Sequence, residues 1–122
     1  VEWHLGWHDD ALLAYCQKHG ITLQAALPLG GQATRHPAAS LASPAVLAAA
    51  RAHAVAPQSV VLRWALQRGL PLVAPAGAAG NATKDLKALF GFQLSAAEMS
   101  SLDALSRDTL ASRDAAGFQL FV

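Results

Sequence analysis

Apolar positions at helical spacing in the middle of the chain predict a helix that leads into a buried strand. Five positions within residues 57–68 fall on one helical face, at the spacing i, i+1, i+4, i+5 and i+8: Val60, Val61, Trp64, Ala65 and Arg68. Pro57 suits the first helical position, where a missing N–H costs nothing, and Gly69 suits the helix end because it adopts positive φ without a Cβ clash. Residues 70–73 are nearly all apolar, which is typical of a parallel strand covered on both faces.

Short strands and capped helices alternate along the rest of the chain. Two further strands are predicted at residues 1–5 and 21–27. In the first of them we expect the odd-numbered positions on one face, with Glu2 and His4 on the other. Helices follow where a polar capping residue precedes a stretch of helical spacing, and these caps are Asp9 or Asp10, Ser43, Asn81 and Ser95.

The resulting order is strand, helix, strand, loop, two helices, strand, helix and helix. Strands separated by helices imply right-handed parallel crossovers. Three parallel strands do not close a barrel, and they leave two open edges. We therefore predict that residues 1–122 form one α/β unit belonging to a larger sheet or barrel. The chain starts in a predicted strand, without a leader or an initial Met, which also favours a piece of a longer protein.

Composition narrows the possible partners and compartments. Hydrophobic residues make up 53% of the chain and charged residues 14%, as in a globular protein. The formal charge is +1 with no basic cluster, which argues against nucleic acid and polybasic membrane contacts. The apolar runs are shorter than the ~20 residues of a transmembrane helix, and no signal peptide is visible. We expect a reducing compartment, cytoplasmic or within an organelle, and no secretion.

The cysteine and the histidines of this sequence do not form a pattern typical of a disulfide, a nucleophilic site or a metal site. Cys16 is the single cysteine, so an intrachain disulfide is impossible, and a buried hydrophobe is a better interpretation than a nucleophile. The five histidines show no i, i+4 pairing with a carboxylate and no cysteine at ligand spacing. The sequence therefore predicts no metal site.

Six segments, in this order and spacing, resemble the C-terminal part of aldo-keto reductases: VEWHL, ALLAYCQKHGI, LPLGG, SPAVLAAARAH, APQSVVLRWALQRGLPLVAP and FGFQLSAAEMSSLDAL. That family consists of (β/α)8 TIM barrels that reduce aldehydes and ketones with NADPH. The resemblance implies that residues 1–5, 22–27 and 70–74 are the last three of eight strands, with flanking helices. It places the catalytic Asp, Tyr, Lys and His on earlier strands. No residue of this chain is therefore nominated as catalytic, and His4 and His8 are not substitutes.

The first family motif for the cofactor follows the second strand. The family has a Tyr-Ser-Pro-Leu-Gly-Ser type sequence there, in which the aromatic ring stacks on the nicotinamide and the next loop wraps the pyrophosphate. This chain has Ala26 in place of the aromatic residue, and both hydroxyls are missing. The resemblance implies cofactor positions at Leu29, Gly30 and Gly31, and the backbone N–H groups of the two glycines can face a phosphate. The alternative is that this glycine pair forms only a turn.

The second family motif follows the last strand and binds the 2′-phosphate and adenine through Lys and Ser, then Arg, then Glu and Asn. Here Ala76 and Gly77 replace Lys and Ser, and the loop is one residue short. Asn81 occupies the Arg position, with Lys84 and Asp85 in place of Glu and Asn. The Lys84 ammonium could reach an anion near the helix start, or Lys84 could be an ordinary solvated helix residue.

Two functions are consistent with this pattern. In the first, packing positions are kept and cofactor positions are altered, so the chain is an inactive structural or accessory piece of a larger protein or assembly. In the second, it is the C-terminal part of an active NADPH-dependent oxidoreductase whose catalytic residues lie outside the chain. In both, the implied cofactor is NADP and the implied partner is the remainder of the barrel. Trp3 and Trp7 have either a packing role at the barrel rim or a place near the substrate mouth.

Overall fold

The computed structural model describes residues 1–30, 34–35, 39, 41–73 and 82–106, in which five helices surround three extended segments. The helices are α1 (Asp10–Lys18), α2 (Pro44–His53), α3 (Pro57–Gln67), α4 (Ala82–Phe90) and α5 (Ala96–Asp103). For α4, the structure describes side chains only from residue 86 onward. Each helix lies where the sequence pattern predicts one.

Local capping explains most of the helix boundaries. Asp9 caps α1 by accepting a hydrogen bond from the Leu12 N–H at 2.9 Å. Ser95 and Glu98 form a reciprocal capping box at the start of α5, as predicted. Gly69 follows α3 with a φ of 81°, the left-handed conformation expected of a glycine just past a helix end. Ser43 occupies the N-cap position of α2 and Pro44 the first helical position, as predicted, although the Ser43 side chain makes no capping hydrogen bond to the helix.

The three extended segments, residues 1–5, 22–27 and 70–73, lie side by side in the predicted parallel order. Glu2 pairs with Ala26, and Ala25 pairs with Leu72. These pairings are isolated bridges, so the predicted continuous strands do not form within the described residues. Among the described residues, the first and third segments each pair with a neighbouring segment on one side only. The middle segment leaves the extended conformation at Leu27, whose φ is 55°.

The core is built from the inner faces of the helices and from the first extended segment. Trp3 and Trp64 are fully buried at its centre. The predicted faces of residues 1–5 agree with the His4–Glu2 hydrogen bond, and both faces are covered, since Trp3, His4 and Leu5 are buried while Val1 is 54% exposed. A parallel segment covered on both faces buries successive residues regardless of alternation. His4 is tolerated inside because both of its ring nitrogens are hydrogen-bonded.

Two other expectations concern Cys16 and the membrane. Cys16 is buried and unpaired, as predicted for a small hydrophobe. Among the described residues, no single helix has the length and apolarity needed to cross a membrane. The consecutive helices α2 and α3 meet that test only when joined, by length and composition, across a bend of 94°.

Candidate functional site

The loop after the second extended segment begins with a tight turn at residues 27–30. The Gly30 N–H donates to the Leu27 carbonyl at 2.8 Å and closes the turn around Pro28. Pro28 is buried, and Leu29 packs its side chain against the core. Both ends of the turn have positive φ, 55° at Leu27 and 75° at Gly30.

This turn contains two of the predicted cofactor positions, Leu29 and Gly30. Leu29 is a packing residue, and the N–H of Gly30 is used inside the turn. Gly31 and Asn81 lie outside the described residues. Lys84 and Asp85 belong to the first half of α4, where only the backbone is described. Leu29 and Gly30 are thus the two predicted positions whose surroundings the structure describes, and both lie in this turn.

The neighbouring Ala26 has no group suited to a nicotinamide ring. Its N–H donates to the Val1 carbonyl at 2.7 Å, and its carbonyl accepts from the Trp3 N–H at 3.1 Å. Only an exposed methyl group remains, which offers no aromatic face for stacking. Together with the occupied Gly30 N–H, this means that the described residues at this end of the segments do not fit a nicotinamide dinucleotide.

The main concentration of charged and aromatic side chains in the described part lies elsewhere, between α1, α3 and α5. We call it the Arg68 cluster, and its members are Trp3, His8, Asp10, Trp64, Arg68 and Asp103. One Asp103 oxygen accepts from Arg68 Nη1 and from Trp64 Nε1, each at 2.8 Å. Arg68 Nη2 also pairs with Asp10. The Arg68 guanidinium carbon lies 5.8 Å from the Trp3 ring and 5.7 Å from the Trp64 ring, so the cation also interacts with both aromatic faces.

His8 completes this cluster as a buried neutral imidazole. Its side chain is 3% exposed and lies between Trp3 and Trp64, with ring centroids 5.6 and 5.1 Å away. Burial lowers the pKa of His8 below its ordinary value, and the nearby Arg68 cation acts in the same direction, against the attraction of Asp10. Both carboxylates of the cluster, Asp10 and Asp103, are paired with Arg68, so its role is that of a charge-paired packing centre.

A second polar contact joins the first extended segment to the loop at residues 34–35. The Gly6 N–H donates to His4 Nδ1 at 3.2 Å, which leaves the proton on Nε2. That nitrogen donates to Glu2 at 2.9 Å, and the other Glu2 oxygen accepts from the Arg35 N–H at 2.9 Å. Within the described residues, no group of three His, Cys, Asp or Glu side chains is placed to hold a metal ion.

Sequence reasoning placed Arg68 on the buried face of α3 but did not find its partners. The available signal was a cation four residues after Trp64 on an otherwise apolar face, which requires an acidic partner when buried. Asp10 was interpreted only as a helix cap, and Asp103 received no role. The packing interpretation of Trp3 is supported by its complete burial.

The sequence and the structure were compared with those of known proteins. No family model matches the chain. The rat protein "Aldo-keto reductase family 1 member A1" is 34% identical over 112 residues, which is 88% of this chain. "Uncharacterized oxidoreductase YtbE" of Bacillus subtilis is 32% identical over 110 residues. The crystal structure of Gox0644 in its apo form superposes with a TM-score of 0.73 at 28% identity, covering 88% of this chain.

The chain matches the aldo-keto reductase family over most of its own length. An aldo-keto reductase from a deep-sea metagenome library covers all of it with a TM-score of 0.75, and at 20% identity that likeness shows the fold alone. The matched region is the C-terminal part, as the sequence resemblance indicated. The chain spans 34% of the rat relative and 37% of the Gox0644 chain, so most of an aldo-keto reductase barrel lies outside it. A Gox0644 mutant has been solved in complex with NADPH.

Proposed function

We propose that this chain is a structural segment of a larger aldo-keto-reductase-like barrel and does not contribute a working dinucleotide site. The observation that carries the proposal is the turn at residues 27–30, where the Gly30 N–H is bonded to Leu27 beside the bare methyl group of Ala26. The partner is the remainder of that barrel, in the same protein or in an assembly. A reducing compartment, cytoplasmic or in an organelle, suits the free and buried Cys16.

The energetic argument rests on the groups that family members use and this chain replaces. A charged hydrogen bond from an arginine to a phosphate contributes about 1.5–3 kcal/mol, and Asn81 cannot supply the charge. Aromatic stacking contributes a further ~0.5–1.5 kcal/mol, which Ala26 cannot supply. Loss of both corresponds to an affinity for NADPH lower by roughly 30- to 2000-fold.

The second candidate is the C-terminal part of an active NADPH-dependent reductase of aldehydes or ketones. It is favoured by the 34% identity to a reductase-family protein over 88% of the chain and by the intact packing of α3. In that case the catalytic residues are contributed by polypeptide outside residues 1–122, and other parts of the barrel hold the cofactor.

A chimeric protein distinguishes the two candidate functions experimentally. The matched segment of Gox0644 is replaced by this chain, and NADPH binding to the chimera is followed by fluorescence titration, with unmodified Gox0644 as the positive control. We expect binding at least tenfold weaker than that of Gox0644. The double change Ala26→Tyr with Asn81→Arg should restore part of the affinity, whereas Ala48→Tyr, at an exposed site on α2, should not. Binding by the unmodified chimera as tight as that of Gox0644 would favour the active reductase.

A further inference from the structure

His8 lies in a slot between the two central tryptophans, beside the start of α1. Its ring centroid is 5.6 Å from that of Trp3 and 5.1 Å from that of Trp64. The His8 side chain is 3% exposed, and the residue directly precedes Asp9, the N-cap of α1. A change in the charge of His8 therefore acts on the core and on the beginning of this helix together.

The two ring nitrogens of His8 have different neighbours. Nδ1 lies 3.4 Å from the His4 carbonyl, which can accept a hydrogen bond but cannot donate one. In the neutral ring the proton is therefore on Nδ1, and Nε2 is an acceptor. Nε2 lies 3.9 Å from Asp10 Oδ1, so two acceptors face each other across this gap. A second proton converts Nε2 into a donor beside a carboxylate.

The same Asp10 oxygen connects α1 to the end of α3. Asp10 is the first residue of α1, and its Oδ1 pairs with Arg68 Nη2. Gln17 Nε2 adds a longer contact, donating to the Arg68 carbonyl at 3.5 Å. The buried residues of α1 are Leu13 and Cys16, so its apolar contact with the core is narrow. An element with few buried apolar contacts opens more readily than the core, and the polar contacts with Arg68 help to hold it closed.

Charged and titratable groups face His8 from each element packed against it: Asp10 on α1, Arg68 after α3, Asp103 on α5, and His4, bonded to Glu2, on the first extended segment. The two aspartates and the arginine leave one excess negative charge around a neutral His8. The chief obstacle to a charged ring is therefore burial, which lowers the pKa of His8. That cost is relieved if the ring moves outward to Asp10, whose side chain is 60% exposed.

We propose that His8 is a pH switch that controls the contact between α1 and α3. On protonation by solvent, the imidazolium leaves the slot between the tryptophans, pairs through Nε2 with Asp10 at the surface and withdraws Asp10 from Arg68. Arg68 keeps its 2.8 Å contact with Asp103, so the end of α3 stays joined to α5 while the start of α1 is released. This switch operates whether or not the chain binds a dinucleotide.

Proton NMR on the 122-residue chain tests whether Asp10 is the partner of protonated His8. The His8 Cε1 proton, assigned by its NOEs to Trp3 and Trp64, is followed from about pH 8 to about pH 4.5. At the midpoint pH of the unmodified chain, Asp10→Asn should lower the protonated fraction of His8 at least twofold. The matched control Asp9→Asn removes an equal charge one residue away, keeps a capping side chain and should leave that fraction nearly unchanged. Equal effects of the two variants would overturn the proposal.

The single cysteine reports on the release of α1. Cys16 is buried on this helix, so its labelling by 4,4′-dithiodipyridine measures how often the helix opens. Rates are divided by those of the urea-unfolded chain at the same pH, which corrects for thiol ionisation. Between about pH 7.5 and about pH 5, the protection of Cys16 should fall at least tenfold. Unchanged protection would contradict the switch, as would stronger protection in acid, which would mean that Asp10 bridges His8 and Arg68.

Two histidine variants show which residue controls this labelling. His8→Gln should change the protection of Cys16 less than twofold over the same pH range. The matched control His53→Gln removes another partly buried histidine, one that bonds to Glu98 on α5, and it should keep the tenfold fall. An equal fall in both variants would exclude His8 as the switch. If His8→Gln fails to fold, the NMR titration of Asp10→Asn, a change at an exposed side chain, still decides.

Urea unfolding separates local opening from loss of the whole fold. Tryptophan fluorescence gives the unfolded fraction of the same samples at about pH 5. The open fraction obtained from Cys16 labelling should exceed that unfolded fraction at least tenfold, because α1 opens while the core remains folded. Equal fractions would mean that acid unfolds the whole chain, and the proposed switch would be wrong.

Discussion

His53 at the end of α2 donates from Nε2 to both carboxylate oxygens of Glu98 in the first turn of α5, at 2.9 and 3.1 Å. Glu98 also accepts from the Ser95 N–H at 2.8 Å as part of the capping box. The His53 hydrogen bond is the largest of the causes that hold the pKa of Glu98 below its ordinary value, followed by the hydrogen bond from the Ser95 N–H. One carboxylate therefore secures both the start of α5 and its contact with α2.

Acid should release this contact. Because the folded state lowers the pKa of Glu98, its contribution to stability is present above the ordinary carboxyl pKa of about 4.3 and is lost as the pH falls through the lower folded value. Both side chains are partly exposed, so we expect a contribution of about 1 kcal/mol or less. Urea unfolding of Glu98→Gln should show a weaker decline in the free energy of unfolding below pH 5 than the unmodified chain. Identical pH profiles for the two proteins would contradict this role.

The stability of the protein should depend more on Arg68, the central cation of the Arg68 cluster, than on Asp10, its exposed acid. Arg68→Met leaves Asp103 without its cation in a largely buried setting, and we expect the free energy of unfolding to fall by about 2–4 kcal/mol. Asp10→Asn changes a side chain that is 60% exposed and should cost under about 1 kcal/mol. Urea unfolding followed by tryptophan fluorescence compares them, and equal losses would show that the exposed pair matters as much as the buried one.

His8 should make the same cluster sensitive to mild acid. Burial lowers the pKa of His8, so the unfolded chain binds this proton more readily than the folded one. Stability is then fully present above the ordinary histidine pKa of about 6.5 and falls as the pH drops below it, by at most about 1.4 kcal/mol per pH unit. His8→Gln should flatten the free energy of unfolding between about pH 7 and pH 5. An unchanged slope in that variant would exclude His8 as the cause.

Ala54 offers a stabilising change that depends only on backbone conformation. It ends α2 with a φ of 51°, where a Cβ atom is unfavourable, and its side chain is exposed. Ala54→Gly should therefore raise the free energy of unfolding by about 1 kcal/mol. Ala48→Gly, on the exposed side of the same helix, should lower it by about 1 kcal/mol. Changes of the same sign in thermal or urea unfolding would refute this explanation.

The helices could be predicted because their determinants are local. Prolines, the caps at Asp9 and Ser95 and the glycine after α3 act within one or two turns of the residues they organise. The cofactor region was predicted only as a set of family positions. The Gly30 N–H donates to the Leu27 carbonyl because of the turn geometry. A Gly-Gly pair in a sequence does not specify that geometry.

The sequence by itself determined the family, the five helices and the parallel order of three extended segments. These follow from hydrophobic spacing and from the short range of capping interactions. Only the tertiary structure decided that His4 is buried and that Arg68 joins Asp10 to Asp103, residues 58 and 35 positions from it along the chain. Such contacts depend on how helices pack in three dimensions.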